Sequence, residues 1–495
     1  MIGLLWACVE VEEGEPPLTL EAAPAPDEFV ISGPGGPQSS FTSEQLLLPC
    51  AALTGGEEDV EHHNLVGIYD GVLWLPWAPE SGKGGLTSYD FSDPCNPVKL
   101  GEAYSEWMRE SHTLGIGEVD GRRYLAVDMH VSGTEGGIGF WDITDATAPV
   151  WVSALNLPGY AYPDAYFRVA LSTFWQGDRL YVAAGLLGVF VVDVSDPAHP
   201  SILNQVQEVA FMAGRMQIVG NLAFGASAGV PRSLLWDLSD PDDWDLLASF
   251  DTVDPEGAFH PYYFSNWSGP YALFARKDGG GGPVVYDISV PETPVALGAA
   301  VAPDGDGGYV FRQEDLLFQG ESNFGAIYDF SDPTTPTPIS RLEMKGDFDT
   351  LTPIGNVAVA SVDEKGDPGL ATLVFPWATE PDAVGPTVGY FNPTDGAIFQ
   401  ASTSRIGLSF DEQIEAASVH PGSFRLWNAT TGKRVSGRYY TQEALVNFVP
   451  DEALEGTYLV EVPAGGITDL SGNPTAETLR WRFSTTESVQ GDFPP

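Results

Sequence analysis

Lysine is scarce in this chain: 6 of 495 residues, and basic side chains number 22 against 69 acidic ones, for a formal net charge of −47. A surface of that sign repels phosphate backbones and anionic headgroups, which excludes nucleic-acid binding. It suits a solvated surface in a saline or extracellular setting, or one that collects Ca²⁺ on acidic loops. Long apolar runs are missing too. The opening MIGLLWACVEVEEGEPP holds only a few apolar residues in a row, too few to span a bilayer. Stretches with helical periodicity are short, the best being Glu412–Ser418. Familiar catalytic signatures are absent: there is no Gly-x-Ser-x-Gly elbow, His-Glu-x-x-His, phosphate loop or dinucleotide fingerprint after a strand. GIGEVDG at Gly115–Gly121 and the glycine run Gly279–Gly282 read as turns, with no helix following.

What is abundant points to β structure. There are 56 Gly, 40 Pro and 12% aromatics, and the length calls for a large closed β architecture or several domains. Residues 190–201, FVVDVSDPAHPS, recur in variants whose aspartates are Asp90, Asp142, Asp193, Asp237, Asp287 and Asp329, at intervals of 52, 51, 44, 50 and 42. A worn seventh copy, TLVFPWATEPD, has Pro376 in place of the aspartate. Each unit carries several short strands, so a period in the forties predicts propeller blades. In the third unit the strands fall in YFRVALSTFW, RLYVAAG, GVFVVDVS and SILNQVQEV. The Ser-Asp-Pro between strands three and four reads as a turn, because Asp and Ser bond the backbone ahead and Pro cannot extend a ladder. The alternative, cation-ligating acidic loops, would place the ligands on separate blades.

The repeated pattern resembles the LVIVD repeat of bacterial surface proteins over about residues 61–381, which implies a β-propeller and no defined common activity. From Gly385, strands alternate with Gly, Pro and Asn turns for roughly 100 residues, the size of a β-sandwich. Pro-x-Asp-Gly early and Thr468-Asp469-Leu470-Ser471-Gly472-Asn473-Pro474 late make this segment similar to the bacterial Ig-like domain, which by resemblance acts as a spacer or contact module. Asp469 and Asn473 read as a structural turn or as Ca²⁺ ligands. Leu5-Trp6-Ala7 before Cys8 resembles the end of a bacterial lipoprotein signal, which would make Cys8 the lipidated residue and the only membrane link. Cys50 and Cys95 then remain, as a disulfide or as two free thiols.

The expected architecture is thus all-β: a seven-bladed β-propeller followed by an Ig-like β-sandwich. Residues 1–27 form a signal remnant and acidic, Pro-rich tether, 28–384 the propeller, 385–487 the sandwich and 488–495 a disordered tail. The seventh blade lacks a fourth strand, and an open edge is a liability, so a strand within Asp27–Leu48 is expected to close the circle. A Cys50–Cys95 bond would staple that closure.

Counting nine residues back from the glycine between strands one and two gives His62, His112, Arg168 and His260, with Asp306 at the corresponding place in the sixth unit. First strands line a propeller's channel, so these side chains should converge at one mouth, with Asp349 nearby. Three imidazoles, His62, His112 and His260, would suit a transition metal, with Asp306 or Asp349 as a further ligand. Histidines with Arg168 would instead hold an anionic group. A third reading has them only satisfy backbone groups at a solvated rim. The expected function is an exported binding or adhesion protein of the cell envelope or medium, presenting loops and channel mouth to an extracellular protein, glycan or small ligand. The alternative is a metal-dependent oxidase or oxygenase using the axial histidines.

Overall fold

The computed structural model describes residues 39–56, 62–163, 167–262, 264–277 and 279–489. Cys8, the tether and residues 490–495 lie outside them. Among the described residues, seven four-stranded antiparallel sheets occupy residues 51–376. Six are built in simple order. The first uses Gly67–Tyr69, Val72–Trp77, Gly84–Asp90 and Val98–Ser105, and the third uses Ser172–Gln176, Arg179–Ala183, Val189–Asp193 and Ser201–Val206. Consecutive sheets bury their faces against each other. Trp74 and Leu86 of the first sheet share a core with Leu114, Leu125 and Trp141 of the second. The circle closes where Leu53, Leu73 and Leu75 pack with Ile354, Val359 and Val374. This is a β-propeller.

Closure differs from expectation in position. The closing strand is Ala51–Leu53, which pairs with Thr372–Val374, so it follows Cys50 and does not lie within Asp27–Leu48. The described residues before it turn along the chain leaving the seventh sheet, with Phe41 N–H donating to Thr379 O and Leu47 N–H to Pro376 O. Cys50 is bonded to Cys95, in the turn between strands three and four of the first sheet. The disulfide therefore ties the closing strand to the sheet beside it.

The repeated motif is a turn. In six sheets the motif aspartate accepts the N–H two residues on: Asp90 from Ser92, Asp142 from Thr144, Asp193 from Ser195, Asp237 from Ser239, Asp287 from Ser289 and Asp329 from Ser331, all at 2.7–2.9 Å. The residue after each aspartate donates to the turn between strands one and two or to the start of strand two, as Val194 does to Asp178 O, Leu238 to Asn221 O and Ile143 to Arg123 O. A β-bulge just ahead of the aspartate, as between Val191 and Val192, swings the chain into that contact.

The C-terminal unit is a two-layer sandwich. One sheet runs Val388–Asn392, Ile406–Phe410, Leu445–Pro450, Gly437–Gln442, and the other Arg425–Asn428, Thr457–Val462, Leu479–Ser484. Leu408, Phe410, Phe424, Phe448, Val460 and Trp481 fill the space between them. The expected helix at Glu412–Ser418 shrinks to a 3₁₀ turn, Ala416–Ser418, capped by Glu415.

The sandwich is docked on the propeller rather than held away from it as a spacer. It sits over the turns between strands one and two. Asn447 Oδ1 accepts from Gly220 N–H at 2.7 Å and from Gln176 Nε2 at 3.0 Å, and its Nδ2 donates to Ile218 O. Arg405 donates to Asn221 Oδ1 and Tyr181 OH, Arg215 pairs with Glu443, and Glu415 Oε1 accepts from Asp70 N–H. At Gly269 the close approach of Gly389 leaves no room for a Cβ on the latter, which would lie 2.7 Å from the Gly269 Cα. One end of the propeller is thus covered, and among the described residues the sandwich leaves the other open.

Candidate functional site at the open channel mouth

The residues singled out by the nine-residue register do occupy one slot. His62, His112, Arg168, His260 and Asp306 each precede the first strand of their sheet by three to five residues, at the end opposite the sandwich. They do not all converge. His62 and His112 both turn to Glu110: His62 Nε2 lies 3.5 Å from Glu110 Oε2, and His112 Nδ1 lies 3.6 Å from Glu110 Oε1. Asn64 Nδ2 donates to the same Glu110 Oε1 at 2.7 Å.

His260 is held elsewhere. Its loop folds back through a bridge between Val253 and Phe259, and its Nε2 pairs with Asp254 Oδ2 at 3.1 Å, where Arg276 also reaches. Arg168 is exposed. The three-imidazole metal set expected from the sequence is therefore replaced by His62, Glu110 and Asp363, whose ligand atoms lie within 4.8 Å of one another. His62 Nε2 and Glu110 Oε2 are buried with no hydrogen-bond partner, as is Asp363 Oδ1.

Beneath the mouth the axis is filled. His112 Nδ1 meets Tyr309 OH at 2.9 Å, and the rings of His112, Phe264 and Tyr309 stack at 4.8 and 4.4 Å. Leu65, Phe264, Tyr309 and Phe311, from three different sheets, form one cluster there, which makes the mouth a bowl rather than a pore.

Charge in the bowl is strongly perturbed. Burial works against the Glu110 carboxylate, but His112, His62 and Arg109 outweigh it and hold the group below its usual range. Burial brings His112 down to about 4 against the pull of Glu110, so the imidazole is neutral at neutral pH. Burial pushes Asp349 up to about 7 and Asp128 up to about 8, opposed by Lys277 and Arg109 respectively. Asp363 rises to about 10 through burial and the fields of Asp349, Glu110 and Asp347. Burial acts to lower Lys277, but Asp349, Asp306 and Asp347 together hold it above its ordinary value. Several acids kept from ionising at one open end are the mark of a site maintained at a cost to stability.

Glu110, Lys277 and Asp363 were not in the sequence-derived set. Glu110 is two residues from His112, within Arg109-Glu110-Ser111-His112. Lys277, Glu321 and Asp363 share a different register, one or two residues past the end of a second strand. Counting eight residues forward from the turn glycines Gly269 and Gly355 would have found Lys277 and Asp363. A cleft of 580 Å³ lies elsewhere, between Tyr69, Arg123, Arg438 and Tyr439 at the edge of the docked sandwich. Its lining holds no buried ligand cluster like that of the bowl, so the bowl is the candidate site.

Fold and repeats define the class, an LVIVD-repeat propeller with an Ig-like domain. Residues 172–207 match the LVIVD repeat, and residues 382–485 match the bacterial Ig-like domain. Both are typical of bacterial extracellular or surface proteins. No curated protein matches the chain. Similar solved structures include the periplasmic gluconolactonase of Pseudomonas aeruginosa (12% identity, TM-score 0.49, covering 65% of this chain and 89% of that one). A putative 6-phosphogluconolactonase from Bacteroides uniformis is also similar (13%, 0.47, 59% and 88%), as is a protein from Lactobacillus plantarum (12%, 0.46, 59% and 95%). Likeness at that level carries nothing about activity.

Proposed function

We propose that the chain is a seven-bladed propeller displayed at the bacterial cell surface or released outside it, and that it works by binding, with the open bowl as its ligand site. The observation that carries this reading is the gathering of His62, Glu110 and Asp363 within ligand reach at the uncovered end. One imidazole and two carboxylates suit a divalent transition metal or the cationic group of a small ligand. Asp349 and Asp128 add further acids. The docked sandwich leaves this end free for a partner.

Zn²⁺ alone is the direct probe. Metal-free protein titrated with Zn²⁺ by calorimetry should take up one equivalent, and His62→Ala and Asp363→Asn should each weaken it at least about tenfold. Absence of saturable binding, or variants that bind like the parent, would overturn the site.

A further inference from the structure

A second gathering of carboxylates lies at the covered end. Asp382 sits in the link between the last propeller strand and the first sandwich strand, Glu412 follows Ile406–Phe410, and Asp469 opens the Asp-Leu-Ser-Gly-Asn turn. Their ligand oxygens all lie within 4.8 Å of one another. Two of the three are engaged locally. Asp469 Oδ1 accepts from the N–H groups of Ser471 and Asn473, both at 2.8 Å, and Asp382 Oδ1 accepts from Val384 N–H at 3.0 Å. Glu412 is different: it is 3% exposed, and its Oε1 is buried with no hydrogen-bond partner. A buried acceptor left in that state is costly unless something completes it.

We propose that Asp382, Glu412 and Asp469 bind one Ca²⁺ ion that fastens the interdomain link to the sandwich where it docks on the propeller. The donor set is all oxygen, which selects a hard cation over the metals expected at the open bowl. Oxygens on opposite sides of Ca²⁺ are about 5 Å apart at bond lengths of about 2.3–2.6 Å, so a set gathered within 4.8 Å is of a size to hold the ion. Charge around the set is mostly negative. Glu314 of the sixth sheet and Asp411 face it, and Arg312, lying over the rings of Tyr271 and Phe330, is the cation whose field reaches Asp411 and Glu412. Asn473 serves as an orienting group rather than a ligand, since its Nδ2 donates to Asp469 Oδ2 at 2.9 Å.

The test uses the full chain, stripped with chelator and titrated with CaCl₂ by calorimetry at about 0.15 M NaCl to screen diffuse cation binding. One saturable equivalent is expected, with a rise in the thermal midpoint on adding Ca²⁺. Glu412→Gln should weaken the site at least about 100-fold, and Asp382→Asn, on the partly exposed link where folding is not at stake, at least about tenfold. Asp240→Asn, in an exposed propeller turn, should change nothing. The proposal falls if the parent shows no saturable site by about 10 mM Ca²⁺, far beyond the range of extracellular modules. It falls equally if Asp382→Asn binds like the parent, or if Asp240→Asn loses as much as the link variant.

Discussion

At the covered end of the propeller, several buried charges are matched across the seam, outside the acidic set around Glu412, where burial also raises Glu314, Asp411 and Asp469. Glu443 meets Arg215, Glu415 accepts the Asp70 N–H, and Asn447 satisfies backbone groups of the fourth sheet and the side chain of Gln176. At the open end the accounting is different. Glu110, Asp349, Asp363 and Asp128 share the bowl with His62, His112, Arg109 and Lys277, and several acids are held protonated by burial. The same acidic chain thus uses carboxylates in two ways, as fasteners where another domain answers them and as a reserve where none does. That difference is the reason to look for a ligand at the bowl and for structural roles at the seam, with the acidic set of Asp382, Glu412 and Asp469 the exception that marks a cation site.

The sharpest way to break the comparison is Glu443→Ala. It would leave the Arg215 guanidinium, whose side chain is 1% exposed, without its carboxylate in the seam. Loss of one partner from such a pair costs about 3–5 kcal/mol, visible as a lower denaturation midpoint in urea. A cost under about 1 kcal/mol would mean that the covered end is not interlocked. Next in size is the double change Cys50→Ser and Cys95→Ser. The disulfide spans 45 residues, for which chain entropy gives about 4 kcal/mol. Non-reducing peptide mapping of the parent checks the pairing itself, and two free thiols would remove it.

Glu321, at the open end, should cost stability as pH rises. Burial raises it from 4.5 to about 7, against the hydrogen bonds from Tyr328 and Gly282 N–H. The native state therefore keeps a proton that the unfolded chain has released, and stability falls between pH 4.5 and about 7. Above that range the effect is flat, on the order of 3 kcal/mol at most. Glu321→Gln removes the slope, so unfolding measured across this range should show the variant equal to the parent at low pH and more stable at pH 8. Parallel curves for the two proteins would show that Glu321 ionises normally. The carboxylate sits where a Cβ on Gly281 or Gly305 would collide with it, so the glycine run that looked like a plain turn also cradles an acid.

Much of the fold was legible because propeller sheets are local: each hairpin announces itself by strand period and turn residues, and the motif aspartates fix the register. Closure was harder to place. The pairing of Ala51–Leu53 with Thr372–Val374 joins distant parts of the chain, and nothing in a three-residue strand marks it. The bowl was half legible. The backward count found His62 and His112, but a slot shared in register is not a shared direction, and the Asp254 carboxylate captures His260 before it can reach the axis. Docking of the sandwich was not legible at all, because its contacts are single polar side chains such as Asn447 and Arg405 with no local pattern.

The smallest effect is expected where the sequence pattern was strongest. Asp193 accepts one N–H, from Ser195 at 2.9 Å, in a turn at the edge of the covered end. Asp193→Ala forfeits a solvated hydrogen bond worth about 1 kcal/mol, which thermal unfolding can resolve. It should leave Zn²⁺ uptake at the bowl and Ca²⁺ uptake at the seam unchanged, because neither set includes it. If the substitution instead removed a bound cation, the motif aspartates would be ligands after all. The distinction between exposed acids that shape turns and buried acids that await a partner would then have to be redrawn.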